Sequence, residues 1–372
     1  MRVGKRLVET EGTARWWSIM DTLMTKAQGL NAPAKYLYGV IGLNGRRAIA
    51  PLTSDDKGNK VYTIAYKDIA CVVSDSTSSC PDPSDKEALI RHLIAHQSVM
   101  EKVMAEHTIV PIRVGVRLGM AREVESVLES GYGEFSKRLK RFDGKVEADV
   151  TASWSDLNLV IKKIAEEDPE IREMKNKVSS LQAKDNLAER IKIGSMIKDA
   201  LDRERERIRA EVKSALNGLA SAAVDHGGAD EKVVMSCAFL MEKEGVDAFF
   251  SVLDELNGRY QGALNIKCVS PLPPYSFSAM DIRKVGYEEV ILAKETIGLG
   301  AEASTDDIRE AYTRATLKYH PDTDRGNPAL GHRFEEITKA YRLLKKYCQG
   351  RACSFKEEAF EGFFIVEPID PH

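Results

Sequence analysis

The chain has 372 residues, 43% of them hydrophobic and 30% charged, a balance typical of folded globular protein. Its formal net charge of -3 predicts no general attraction to nucleic acid or to an anionic membrane. No apolar stretch approaches the roughly 18 residues that a membrane-spanning helix needs. The six cysteines form no CxxC pair, so we expect reduced thiols in a cytoplasmic protein.

The first folded unit is predicted over residues 34–144, after an N-terminal extension of residues 1–33 that lacks the features of a secretory signal. Apolar residues at helical spacing predict helices over residues 84–107 and 121–141. Aromatic and β-branched runs predict strands over residues 35–42, 61–66, 69–74 and 108–116. Paired strands that alternate with helices predict an α+β domain of ferredoxin-like type.

A second ferredoxin-like domain is predicted over residues 145–278, here with a long helical insertion. Strands are predicted over residues 146–154, 233–241 and 264–269. Helices are predicted over residues 156–166, from Asp168-Pro169, over 187–223 and over 246–260. The alternating charges of residues 202–207 are typical of a solvated helix face, and not of a binding site.

Several short motifs in these two domains occur together in the order of a known family. They are Tyr36-Leu37-Tyr38-Gly39-Val40, His96 followed by residues 108–115, Asp168-Pro169-Glu170-Ile171, and Pro271-Leu272-Pro273-Pro274-Tyr275-Ser276-Phe277. Over residues 35–278 the chain therefore resembles the gas vesicle protein L/F family. One departure is Ile112-Arg113-Val114-Gly115, where the family usually has an aromatic residue before the glycine.

This resemblance implies an accessory protein of gas vesicle assembly with no catalytic activity. Such a protein would bind the small hydrophobic shell protein, and other gas vesicle accessory proteins, and keep the shell protein from aggregating before it joins the wall. A subunit that exposes a large apolar patch needs such a holder until assembly. The location implied is cytoplasmic and gas vesicle associated.

A helical hairpin is predicted next, in residues 279–350. Its two apolar stripes are Ile308, Ala311, Ala315 and Tyr319, then Phe334, Ile337, Tyr341 and Leu344. His320-Pro321-Asp322 lies between the stripes, where Pro321 stops the first helix. Thr305 is predicted to be the N-cap of that helix.

The hairpin resembles the J-domain, the module by which co-chaperones stimulate the ATPase of Hsp70. The resemblance implies that the His-Pro-Asp loop triggers hydrolysis and that a basic helix face docks on an acidic partner surface. The residues implied in Hsp70 binding are His320, Pro321, Asp322, Arg309, Arg314 and Lys318. Two departures are Thr313 and Thr323, where many J-domains are basic, and no fourth helix is evident after Lys346.

The regions flanking the hairpin carry two further expectations. Residues 279–288 are predicted to be a junction with few long-range contacts. The apolar segment Gly362 to Pro368, within the tail of residues 351–372, is predicted to fold back as a short strand or docking peptide.

Candidate catalytic, metal and cofactor chemistry is weak. His92 and His96 have a spacing that metal ligands use, with His107 further on, but His96 falls on an apolar stripe and is expected to be a hydrogen-bonded core residue. Arg113 is expected in a buried ion pair. No phosphate-binding loop or nucleophile motif occurs, so we predict no enzyme, no metal and no cofactor.

The resulting hypothesis is a gas vesicle assembly factor that couples the shell protein to Hsp70. An alternative is a general J-domain co-chaperone whose ferredoxin-like domains sense a small ligand, and a third is an RNA-binding regulator. Neighbouring genes for a hydrophobic shell protein would favour the first, and salt-sensitive RNA binding would favour the third.

Overall fold

The computed structural model describes residues 34–43, 53–54, 58–76, 85–179, 187–227, 230–319, 328–348, 352–360 and 362–369. Over these residues the chain is of mixed α+β class with antiparallel sheets, which confirms the predicted class. No helix among them is both long and apolar enough to cross a bilayer.

The first sheet is antiparallel throughout. Its strands are β1 (Ala34–Gly42), β2 (Thr53–Ser54), β3 (Lys60–Tyr66), β4 (Ile69–Ser76), β5 (Ile109–Pro111) and β6 (Arg117–Leu118). They are arranged in the order β2-β3-β4-β1-β5, and β6 also pairs with β1. Glycine is needed at position 39 of β1, because a Cβ there would lie 2.7 Å from the carbonyl oxygen of Val110 on β5.

Two helices cover opposite faces of this sheet, α1 (Lys86–Met104) on one and α2 (Ala121–Arg141) on the other. The bounds predicted for α2 are confirmed. The single strand predicted over residues 108–116 is wrong, since β5 ends at Pro111. Proline has no N–H to continue a ladder, and Gly115 has a φ of 92°, so the chain turns before β6 begins.

The second sheet contains β7 (Lys145–Trp154), β8 (Ala222–Asp225), β9 (Val233–Glu242) and β10 (Leu264–Leu272), all antiparallel in the order β10-β7-β9-β8. If β1, β3, β4 and β5 are numbered first to fourth, the first sheet has this same order. The two sheets therefore repeat one arrangement along the chain.

In the described part of the segment, three helices are inserted between β7 and β8, and a fourth follows β9. They are α3 (Leu157–Glu167), α4 (Pro169–Ser179), α5 (Leu187–Asn217) and α6 (Val246–Arg259). The predicted start at Asp168-Pro169 is confirmed, because the Asp168 carboxylate accepts hydrogen bonds from the backbone N–H groups of Glu170 (3.0 Å) and Ile171 (3.2 Å). The helix predicted to reach residue 223 is too long, since the short strand β8 follows α5.

The short helix α7 (Tyr275–Ser278) packs beside the first sheet, and the rest of the chain is built around a separate hydrophobic core. Its elements are β11 (Met280–Val285), α8 (Tyr287–Ile297), β12 (Glu302–Ala303), α9 (Thr305–Lys318), α10 (Pro328–Cys348), β13 (Cys353–Ser354) and β14 (Phe363–Pro368). Helices α8, α9 and α10 pack together, and β12 pairs with β13. We call residues 34–279, with both sheets, the body, and α8 to α10 the C-terminal helices.

Strands β11 and β14 pair antiparallel and form a two-stranded ribbon. The ribbon packs on α2 of the body with one face and on the C-terminal helices with the other. The prediction that residues 279–288 make few long-range contacts is therefore wrong. The prediction that the apolar tail folds back is confirmed.

Candidate functional site

The helix α9 begins with a reciprocal pair of hydrogen bonds. The Asp307 backbone N–H donates to Ser304 Oγ (3.2 Å), and the Ser304 N–H donates to Asp307 Oδ2 (2.8 Å). This is a capping box, which holds the first turn and the direction of the helix. The N-cap is thus Ser304 and not Thr305 as predicted; Thr305 is already the first helical residue.

The outer face of α9 carries the three basic residues that the sequence singled out. Arg309, Arg314 and Lys318 are all exposed. Arg314 Nη1 lies 3.7 Å from Glu310 Oε2, but both side chains are largely in water, so this pair holds the guanidinium only weakly. The cations therefore remain available to a partner.

Sequence reasoning missed one residue of this surface, Leu317, whose side chain is 73% exposed. Residues four apart lie on the same helix face, so Arg309, Thr313 and Leu317 form one row. A large apolar side chain beside the cations gives this surface exposed apolar area as well as charge. The apolar stripe of this helix predicts its buried side and gives no information on Leu317.

Residues His320, Pro321 and Asp322 lie outside the described residues. The helix ends that flank them are described, and they come together. The Arg333 guanidinium lies 5.8 Å from the centre of the Tyr319 ring, and Tyr312 stacks on Tyr341 with ring centres 4.2 Å apart. These contacts confirm that α9 and α10 pack as a hairpin.

After α10, the described chain continues as an extension with a short 3-10 helix (Glu357–Ala359) and no fourth α-helix. It packs back on the C-terminal helices through Phe355, whose carbonyl oxygen accepts a hydrogen bond from Tyr287 Oη (2.9 Å). Cys348, at the end of α10, forms a disulfide with Cys353 of β13. The expectation that all cysteines are reduced is wrong for this pair, because pairing of β12 with β13 brings Cys353 to the end of α10.

The histidines considered as metal ligands lie inside the body. His96 is buried, and its Nδ1 is 2.9 Å from Tyr36 Oη, which confirms a hydrogen-bonded core histidine. Burial, and then the nearby His92, lowers the pKa of His96 to about 3, so the ring is neutral at physiological pH. Within the described ranges no group of three or more His, Cys, Asp or Glu could hold a metal ion.

A buried carboxyl group on the second sheet, also missed from the sequence, binds the proline-rich motif. Glu147 on β7 accepts hydrogen bonds from the backbone N–H and the Oγ of Ser276, both at 2.8 Å. Burial, and then the neighbouring Asp149, raises the pKa of Glu147 to about 8. Because Ser276 belongs to the proline-rich motif at residues 271–277, the motif is fixed to the second sheet through this group.

The same motif contacts the first sheet's helix α1 and leads into the ribbon. Tyr275 Oη donates to Gln97 Oε1 at 3.4 Å, and its ring centre is 6.4 Å from that of His96. The contacts of Tyr275 and Ser276 therefore place the motif between α1 and the second sheet.

The ion pair expected for Arg113 is with Asp281, at 3.5 Å, and it is only partly buried.

Comparison with known proteins matches two parts of the chain. Residues 34–279 match the family model of gas vesicle synthesis protein GvpL/GvpF, and residues 295–351 match that of the DnaJ domain. The crystal structure of gas vesicle protein GvpF from an Anabaena species superposes with a TM-score of 0.58 at 20% identity, covering 66% of this chain and 98% of that one. That likeness is one of fold.

Two curated relatives represent these two parts. Gas vesicle protein F of a Streptomyces species is 26% identical over 222 residues, which are 60% of this chain and 89% of the relative. Chaperone protein DnaJ of Borreliella burgdorferi is 39% identical over 75 residues, 18% of this chain and 21% of that protein. The chain thus spans only about a fifth of that DnaJ protein. It belongs to the GvpL/GvpF family of gas vesicle synthesis proteins and carries a DnaJ domain after its family domain.

Proposed function

We propose that this protein binds the small hydrophobic shell protein of gas vesicles before it joins the wall, and recruits Hsp70 to it. The observation that carries the proposal is that a GvpL/GvpF domain and a DnaJ domain occupy one chain. Tethering raises the concentration of Hsp70 near the bound client without any new contact between the two. The protein itself would act as a binder and not as an enzyme, at gas vesicles in the cytoplasm.

The exposed face of α9 supports the Hsp70 part of the proposal. Arg309, Arg314 and Lys318 would steer an acidic Hsp70 surface, and Leu317 would fill an apolar contact within it. His320, Pro321 and Asp322 would then act as the J-domain resemblance implies, by triggering ATP hydrolysis once the helix is docked.

For the client we propose the outer side of α5 in the helical insertion. Leu187 and Ile191 lie one turn apart there, and their side chains are 67% and 65% exposed. A comparable pair on α1, Ile90 and Ile94, is less exposed, at 37% and 54%. The α5 pair therefore offers more apolar area to a hydrophobic client, and the α1 pair is its matched control.

Co-purification tests this function. Shell protein expressed with the full chain should stay soluble and be retained on it, whereas shell protein alone should pellet. The double variant Leu187→Ser/Ile191→Ser should lower retention at least about tenfold, because each buried aliphatic side chain contributes about 1.5–3 kcal/mol. Ile90→Ser/Ile94→Ser should retain the shell protein. Equal solubility of the shell protein with and without this chain would contradict the proposal.

The repeated strand order supports one further proposal, about the fold of the body. Both sheets have the strand order that results from the ferredoxin-like β-α-β-β-α-β path. The second domain follows this path, with α3 to α5 in the place of the first helix, and we assign it to that type. In the first domain α2 follows β5, and α1 and α2 lie on opposite faces of the sheet, so it shares the strand order alone.

A further inference from the structure

The ribbon of β11 (Met280–Val285) and β14 (Phe363–Pro368) belongs to two hydrophobic cores at once. On its body side, Met280, Ile282 and Phe364 are buried with residues of α2 and the first sheet. On its other side, Val285, Phe363 and Ile365 are buried with residues of the C-terminal helices. Neither core is complete without the ribbon.

Polar contacts fix the ribbon on both sides as well. Lys284 Nζ lies 2.6 Å from Glu123 Oε1 on α2, and Glu367 pairs with Lys346 of α10. The Arg113 backbone N–H donates to the carbonyl oxygen of Met280 at 2.8 Å. The two ion pairs are partly exposed and add little by themselves, so the buried faces and this backbone hydrogen bond hold the ribbon between the body and α10.

The order of the strands along the chain gives this arrangement a consequence. An isolated two-stranded ribbon is at best marginally stable in water, so β11 and β14 need a surface to pair on. β11 precedes the C-terminal helices and β14 follows them. The body side supplies a surface that is independent of these helices, namely α2 and the first sheet.

We infer that the ribbon makes the folding of the C-terminal helices depend on a folded body. Phe363 and Ile365 complete the hydrophobic core of the C-terminal helices. They are in place only when Ile282 and Phe364 of the same ribbon pack on the body. Helix α9 and its exposed basic face are therefore folded only in molecules whose body has folded. The ribbon also fixes the orientation of α9 relative to the body. The meaning of this display for Hsp70 rests on the proposed function; the folding dependence does not.

Three matched substitutions test the dependence, each removing one buried methylene. Ile282→Val lies on the body side of the ribbon, Ile365→Val on the helical side, and Ile208→Val on α5 in the core of the second sheet. Amide hydrogen exchange of the full-length protein reports the opening of each region separately. The readout is the exchange rate of the slowest amides in α9 and α10.

Ile282→Val should raise that rate about threefold to tenfold, although Ile282 packs in the body core, and Ile365→Val should do the same. Ile208→Val should leave it within about twofold of the wild type, while exchange in β7 and β9 accelerates. The inference is overturned if Ile282→Val speeds exchange in α2 but not in α9 and α10. It is also overturned if Ile208→Val and Ile282→Val act equally, since the ribbon would then have no special part.

A stronger change, Phe364→Ala, provides a second measurement on the same protein. It should raise exchange in α9 and α10 at least about a hundredfold, because loss of a buried phenyl ring is among the most disruptive core changes. If this variant does not fold, the three isoleucine variants still decide the question. Neither Hsp70 nor shell protein is present, so a failure here is distinct from a failure of the proposed function.

Discussion

Phe364 and Ile365 are neighbours on β14, yet their side chains lie in different hydrophobic cores. Phe364 is 4% exposed and packs into the body, and Ile365 is 7% exposed and packs against the C-terminal helices. Successive residues of a strand point to opposite faces, so one strand from the end of the chain closes both cores. The C-terminal helices are therefore joined to the body through a strand that belongs to the hydrophobic cores of both.

Cutting the chain before Asp281 should destabilise the body that remains. The cut removes Ile282 and Phe364 from the core around α2, and each buried side chain contributes about 1.5–3 kcal/mol. In a domain of this size the thermal midpoint should fall by at least about 6 °C, measured by circular dichroism. The full-length Phe364→Ala variant should lie between the fragment and the wild type. A fragment with the same thermal midpoint as the full chain would show that the ribbon adds nothing to the stability of the body.

His320→Gln should abolish stimulation of Hsp70 ATPase while the thermal midpoint stays within about 2 °C. The expectation follows from the J-domain resemblance, because a glutamine keeps polarity but not the shape of the imidazole at the position implied in triggering hydrolysis. Single-turnover ATP hydrolysis by Hsp70 is the measurement. Equal stimulation by the variant and the wild type would refute the co-chaperone role.

Arg314→Ala should have a milder effect, on the rate of association with Hsp70. The guanidinium is exposed, and its ion pair among the described residues is with the exposed Glu310, so its loss changes steering more than structure. At low salt the association rate should fall about twofold to fivefold, and the difference should vanish at high salt. Lys177→Ala, on the exposed helix α4, removes the same charge far along the chain and should leave the rate unchanged.

Glu147→Gln should flatten the pH dependence of stability. The pKa of Glu147 is raised to about 8 in the folded protein, so the folded state is more stable when this carboxyl group is neutral than when it is ionised. This stabilisation is complete below the unfolded pKa of about 4.3 and is lost as the pH rises through 8. Gln keeps an oxygen that accepts a hydrogen bond from Ser276 and cannot ionise.

The test compares thermal midpoints of the wild type and Glu147→Gln between pH 5 and pH 9. The variant should gain stability relative to the wild type from pH 5 to about pH 8, by about 1.4 kcal/mol per pH unit, and the difference should level off above pH 8. Parallel curves would mean that Glu147 ionises in the folded protein as easily as in water. Asp149 on the same strand and Tyr275 on α7 interact electrostatically with Glu147, and His226 Nε2 lies 3.3 Å from Ser276 Oγ, so these groups are present in both proteins and cancel in the comparison.

Much of the fold could be predicted from periodicity alone. The stripe of α2 is long and regular, so both its ends were predicted correctly, and the Asp168-Pro169 start of α4 has a direct chemical cause. The short strands were harder. β8 has only four residues and begins with Ala222-Ala223, which are good helix formers, so the sequence predicts a continuation of α5 there.

The features missed at the candidate site depend on contacts between distant residues. Residues 280–285 and 363–368 are too short and too far apart in sequence for either to predict the other as its partner. Glu147 sits at an ordinary strand position, and only the fold shows that it is buried beside Ser276. The sequence shows a leucine at position 317, but it does not show that this side chain is exposed.

The central claim is that one chain brings shell protein and Hsp70 together, and a capture experiment tests it most directly. Shell protein is immobilised, Hsp70 and ATP are added with the wild type, His320→Gln or Leu187→Ser/Ile191→Ser, and retained Hsp70 is quantified. The account predicts that Hsp70 is retained only with the wild type: His320→Gln stays on the shell protein without Hsp70, and the α5 variant is itself lost. Hsp70 retained equally in the absence of this chain, or with every variant, would contradict the account.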